Sequence, residues 1–186
     1  STSTTEIDGK VEASGGAVGL YVKTGAKIDL GKNGTPSLEI GSNGLMFYNN
    51  TRKNSSGTGV VNDGTFELHK NISGTVNNGG KAFLLSGVKT MGEIASALNA
   101  MFANSGTNKV SLTMNSGSSL FTIQNTSIAS VSNDIKLSDF GTGWATTPIG
   151  NNVELNTASS NDFKIITMKG GSLKIDKPVN LDLSND

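Results

Sequence analysis

The chain has 186 residues, 24 of them Gly, and its 15 Lys and Arg balance 15 Asp and Glu to zero net charge. Neutrality argues against nucleic acid, which needs a basic footprint, and the absence of Cys rules out disulfides and thiolate metal sites. Val, Ile, Leu and Thr are plentiful, unlike a disordered chain, and no apolar run reaches the ~18 residues that span a membrane as a helix.

The first dozen residues carry little pattern and are expected to be loosely ordered. From there one three-residue word recurs: apolar, charged, apolar. It stands at 28–30, 38–40, 66–68, 135–137, 153–155, 163–165, 173–175 and 181–183. Each word predicts a short strand with two side chains inward and one charge outward. Gly19-Leu20 returns 25 residues later as Gly44-Leu45, with two words between them. Three strands per repeat, joined by Gly- and Asn-rich corners, is the arithmetic of a β-helix coil. Leu20, Val22, Ile28, Leu30, Leu38, Ile40, Leu45 and Phe47 are the expected core.

Residues 49–59 hold no apolar side chain and predict a projecting loop. Residues 90–104 change period: Met91, Ile94, Leu98, Met101 and Phe102 fall at helical spacing. Thr90 and Glu93 form a capping box, and Asn104-Ser105-Gly106 ends the helix. This amphipathic helix is expected as an insertion packed on one side of the stack. Strand signals resume at 110–114 and 120–123, and residues 138–151 predict a second loop. The expected class is therefore all-β, a right-handed parallel β-helix with one inserted α-helix. An antiparallel β-sandwich also places strands every 8–12 residues or so. Scarce two-residue hairpin turns and longer gaps favour the coil.

Residues 16–31 and 41–50, Gly16-Ala17-Val18-Gly19-Leu20-Tyr21 and Gly41-Ser42-Asn43-Gly44-Leu45-Met46-Phe47-Tyr48 among them, resemble passenger-domain repeats of large autotransporter adhesins. The style is closest to fusobacterial outer-membrane adhesins. The resemblance implies a segment displayed outside a Gram-negative cell by a C-terminal β-barrel of the parent chain. It implies attachment to a host-cell or bacterial surface protein or glycan. The chain begins at Ser1 without an initiator Met and stops at Asp186, as expected of a piece of a longer chain. No membrane insertion by this segment is expected.

Catalytic signals are weak. The single His, His69, leaves a nucleophile–His arrangement without support. Asp29, Glu39, Glu67, Glu154 and Asp182 each stand alone between apolar neighbours, as solubilising residues do. A glycosidase needs two carboxylates facing each other across a groove. The calcium-binding nonapeptide pattern is absent, and the phosphate-loop spacing of Gly74 and Gly79 fails at Gly80. No enzyme activity, cofactor or metal is expected. Arg52 and Lys53 in the first loop and Trp144 in the second are the candidate partner contacts, the Trp through stacking on a sugar or anchoring a protein.

Overall fold

In the computed structural model the chain coils into three parallel sheets; the words at 28–30, 38–40, 66–68 and 153–155 become rungs of two of them, 163–165 leads into the third, and 173–175 joins a smaller pair. The structure describes residues 3–48, 52–53, 60–61, 64–86, 91–124, 128–131, 150–169 and 173–175. The first coil is β1 (Ser3–Ile7), β2 (Val11–Ala13) and β3 (Val18–Tyr21), so the residues expected to be loosely ordered are strands, held by pairing with the second coil. The second is β4 (Ala26–Leu30), β5 (Ser37–Ile40) and β6 (Leu45–Tyr48). A short antiparallel pair follows, β7 (Arg52–Lys53) with β8 (Val60–Val61). The third coil is β9 (Thr65–Leu68), β10 (Ile72–Val76) and β11 (Lys81–Ser86). Helix α1 (Met91–Met101) precedes β12 (Val110–Met114), β13 (Ser119–Gln124) and β14 (Ile128–Val131). The last strands are β15 (Val153–Leu155), β16 (Lys164–Lys169) and β17 (Leu173–Ile175).

The first sheet runs β1-β4-β9, the second β2-β5-β10-β12-β15 and the third β3-β6-β11-β13-β16, with β14 and β17 forming a smaller parallel pair. This is a parallel β-helix. Parallel pairing of successive coils excludes the antiparallel sandwich. The eight expected core residues are all buried, none above 8% exposed. Among the described residues, no helix is long and apolar enough to cross a membrane.

Register departs from the 25-residue return. Leu20 lies beside Phe47 and Val18 beside Leu45, an offset of 27 residues. A two-residue slip keeps every side chain on its own face, so the expected core residues remain inward. The corners account for the register. After the second-sheet strands the chain turns through left-handed residues stacked coil on coil: Gly16 (φ 88°), Asn43 (58°), Gly79 (75°) and Gly117 (74°). Gly16 N–H donates to the Asn43 carbonyl at 3.1 Å, Asn43 N–H to Gly79 at 3.1 Å, and Gly79 N–H to Gly117 at 3.1 Å. Gly and Asn are the residues that enter this backbone region at low cost.

The third sheet carries a different code. Met46 and Phe47 are adjacent, point to opposite faces and are both fully buried, as are Ala82 with Phe83 and Leu120 with Phe121. A Cβ at Gly74 of β10 would come within 3.0 Å of Met46 Cε, so Met46 packs toward the second sheet. Phe47 instead meets Phe66 of β9 at 5.2 Å between ring centroids. Strands buried on both faces read as continuous apolar runs.

Helix α1 lies between β11 and β12, where the next first-sheet strand would come. Ile94, Ala97, Leu98, Met101 and Phe102 of the helix and its C-terminal turn are buried in the common core. Its apolar stripe is therefore spent on its own domain. Asn104, at φ 69°, ends it in the left-handed conformation of a helix C-cap. The edge of β9 is then completed by side chains. Leu68 N–H donates to Ser105 Oγ at 2.9 Å, and Asn108 Nδ2 donates to the Leu68 carbonyl at 2.9 Å. Ser105→Ala leaves the buried Leu68 amide without that acceptor. The expected loss is about 1–3 kcal/mol in urea unfolding; an unchanged midpoint would show that β9 needs no such edge cover.

Candidate functional site

In-register parallel stacking places like residues above one another, and this overturns the expectation of isolated charges. Glu6, Asp29 and Glu67 form one row across β1, β4 and β9, and Glu12 stands beside Glu39 across β2 and β5. The carboxylates were solitary only along the chain. Each row is tied by lysine. Lys10 bridges Glu12 and Glu39, the latter at 2.7 Å. Lys32 Nζ meets Glu6 Oε1 at 2.6 Å, and Lys109 Nζ meets Glu154 Oε2 at 3.0 Å.

The densest group is on the outer side of the first sheet. Lys27 Nζ lies 2.9 Å from Asp29 Oδ1 and 2.8 Å from Glu67 Oε2. His69 Nε2 lies 3.5 Å from Asp29 Oδ1 and 3.8 Å from Glu67 Oε1. Asp29 is only 2% exposed although it occupies the outward position of its word. The neighbouring side chains close over it. Burial pushes its carboxyl up, but Lys27 and His69 together outweigh that and hold it below the usual aspartate value. Glu67, then Asp29, holds the Lys27 ammonium above its ordinary value.

Two open depressions flank these rows. One of about 390 Å³ is lined by Ser3, Thr5, Tyr21, Lys23 and Lys27. The other, about 430 Å³, is lined by Glu12, Glu39, Gly41 and Asn77. At the first-coil end, Tyr21 stacks beside Tyr48 with ring centroids 5.0 Å apart, and Tyr21 remains 45% exposed.

The structure places Arg52 and Lys53 in β7; their side chains lie outside the described part. Trp144, the rest of the 49–59 loop, residues 138–149 and the words at 135–137 and 181–183 lie outside the described residues. Sequence reading missed the Asp29–Glu67–His69 group. Its members are 38 and 40 residues from Asp29, a separation that only the register of β4 on β9 brings to contact. The chain matches no protein-family model, no curated protein and no solved structure.

Asp8 supplies a pH-dependent brace of the first two coils. Its carboxylate accepts the Asn33 N–H at 2.9 Å. Backbone hydrogen bonds from Asn33 and Gly34 hold its carboxyl below the ordinary 3.8. A depressed folded-state value means that the stabilisation is present above the unfolded value and is lost as pH falls through the folded one. The stability difference between wild type and Asp8→Asn is therefore expected to be constant above pH ~4 and to shrink in more acid solution. Urea midpoints across that range test this; a pH-independent difference would remove Asp8 from the acid response.

Proposed function

We propose that this chain is a non-enzymatic passenger segment of a cell-surface adhesin, displayed on the outer membrane of a Gram-negative bacterium. The observation that carries the reading is the parallel β-helix itself, with its outer rows of ion pairs and with the exposed Tyr21 ring set against the partly buried Tyr48. Such a stack extends by adding coils and presents the same strip of surface along its length. The partner is a surface protein or glycan on a host or bacterial cell. An exposed ring held against a second one offers such a partner a rigid contact area at little entropic cost.

Beads coated with the segment test this. They are expected to bind partner cells, and soluble segment is expected to compete. Tyr21→Ser with Tyr48→Ser is expected to weaken attachment. Binding no greater than that of albumin-coated beads would assign the segment to a stalk. A polysaccharide-processing β-helix finds one favouring observation, the convergence of Asp29 and Glu67. The burial of Asp29 opposes it, because a sugar chain has no access to a carboxylate that is 2% exposed.

A further inference from the structure

We propose that Asp29, Glu67 and His69 form a binding site for a divalent transition-metal ion, with zinc the best fit. One ligand atom from each of the three lies within 4.8 Å of the other two. His69 Nε2 is 3.5 Å from Asp29 Oδ1 and 3.8 Å from Glu67 Oε1. Ligands held ~2.0–2.2 Å from a tetrahedral zinc stand about 3.3–3.5 Å apart. The two separations from the imidazole lie within a few tenths of an ångström of that spacing, and the two carboxylates, under 4.8 Å apart, close the triangle.

The second observation is the state of Asp29. Its side chain is 3% exposed, and among the described residues its Oδ1 has no hydrogen-bond partner. Lys27 Nζ stands 2.9 Å away as a counter-charge, off the hydrogen-bonding direction. A buried carboxylate is costly unless a cation accompanies it; Lys27 supplies that charge here without a directed hydrogen bond, which leaves the Oδ1 lone pairs available to a metal. That oxygen lies 3.5 Å from the imidazole Nε2, within the group that also holds the second carboxylate.

Chemistry selects the ion. One imidazole and two carboxylates suit zinc and its first-row neighbours, whereas calcium and magnesium favour all-oxygen shells. Two carboxylates neutralise the charge of the ion. The Glu67 oxygens divide the work, Oε1 facing His69 and Oε2 holding Lys27 at 2.8 Å. Lys27 is the internal competitor. Its side chain is 28% exposed, so it has room to leave Asp29 when an ion arrives. Glu67 and His69 are 21% and 29% exposed, which leaves a solvent side for a fourth ligand, a water.

The consequence is mechanical. Asp29 and Glu67 are paired residues of β4 and β9, so the ion would clip the second coil to the third across the segment that carries β7 and β8. His69 would fix the start of the turn after β9. Metal binding to the folded state raises its stability by mass action.

The test is titration of the full 186-residue chain with zinc chloride, read by calorimetry and thermal melting, and with cobalt chloride, read by visible absorption. Wild type is expected to bind one zinc, to melt at higher temperature with it, and to give a tetrahedral cobalt spectrum. His69→Gln, a partly exposed position at which the fold is easily checked by circular dichroism, is expected to weaken binding about tenfold or more. Lys27→Met, which removes the competitor, is expected to tighten it. Absence of zinc binding by wild type, or binding undiminished in His69→Gln, would overturn the proposal.

Discussion

Phe47→Ala is expected to lower stability by about 3–5 kcal/mol, the cost of a large cavity among rings that have no room to collapse. Phe47 is fully buried where three parts of the fold meet. Its ring centroid is 5.2 Å from Phe66 of the first sheet, 5.3 Å from Phe83 of the next coil and 5.3 Å from Phe102 beyond α1. Phe83 continues the stack to Phe121 at 5.9 Å. The helix and the coils therefore share one aromatic spine, and the loss should spread through it. Urea unfolding by tryptophan-independent circular dichroism measures the change. Tyr21→Ala, at a half-exposed ring, is the contrast, with an expected loss under about 1 kcal/mol. Equal losses at the two positions would mean that the rings do not form a common core.

Much of this architecture is legible in the sequence, and the reason is local. The words at 28–30 and 66–68 are strands of the first sheet, and those at 38–40 and 153–155 are strands of the second. Each has one face on the core, so alternation marks it. The middle strands of the third sheet, β6, β11 and β13, are buried on both faces, and Leu45-Met46-Phe47 and Ala82-Phe83-Leu84-Leu85 lack the alternation for that reason. Helix α1 is visible through its period, and its fate follows from the same stripe: a row of Ile94, Leu98, Met101 and Phe102 beside an open first-sheet edge is drawn into the core.

What the sequence conceals is register, and with it the candidate site. Successive coils differ in length: the offset is 27 residues from β3 to β6, 36 from β6 to β11 and 38 from β11 to β13. No fixed period exists to align them. The charges therefore read as isolated until the strands are paired, after which Asp29 and Glu67 face each other. Like charges directly opposite on neighbouring strands repel. The chain answers with lysines beside these rows: Lys27 and Lys10 each reach carboxylates on two strands, and Lys32, just after β4, reaches Glu6 of β1. The rows combine solubility with cross-coil fastening. At Asp29 the row closes over a buried carboxylate, and a solubilising position becomes one capable of holding an ion.

Gly44→Ala is the second large effect, and its cause is the neighbouring coil rather than the conformation of Gly44 itself. Gly44 N–H donates to the Gly41 carbonyl at 3.1 Å, closing the corner before β6. Ala17 and Ser118 close equivalent corners by the same bond at 3.1 Å, and both carry a Cβ. The backbone turn thus tolerates a side chain. At Gly44, however, a Cβ would run into the Ala13 carbonyl of the previous coil and come within 3.0 Å of Ile40 Cγ2. The carbonyl is part of the stack, since the Gly41 N–H donates to it at 2.8 Å. Relief requires the first coil to move off the second, which strains that bond and the β2–β5 pairing together. The expected cost is about 2–3 kcal/mol, the usual range for overpacking. Gly9→Ala is the control, because a Cβ there has nothing within 4 Å. Its expected change is within about 0.5 kcal/mol, with a small gain available from the stiffer unfolded chain. Paired urea titrations decide between causes. A large loss at Gly44 alone assigns it to the contact between coils, and equal losses at both positions would reject that contact as the reason for glycine at the corner.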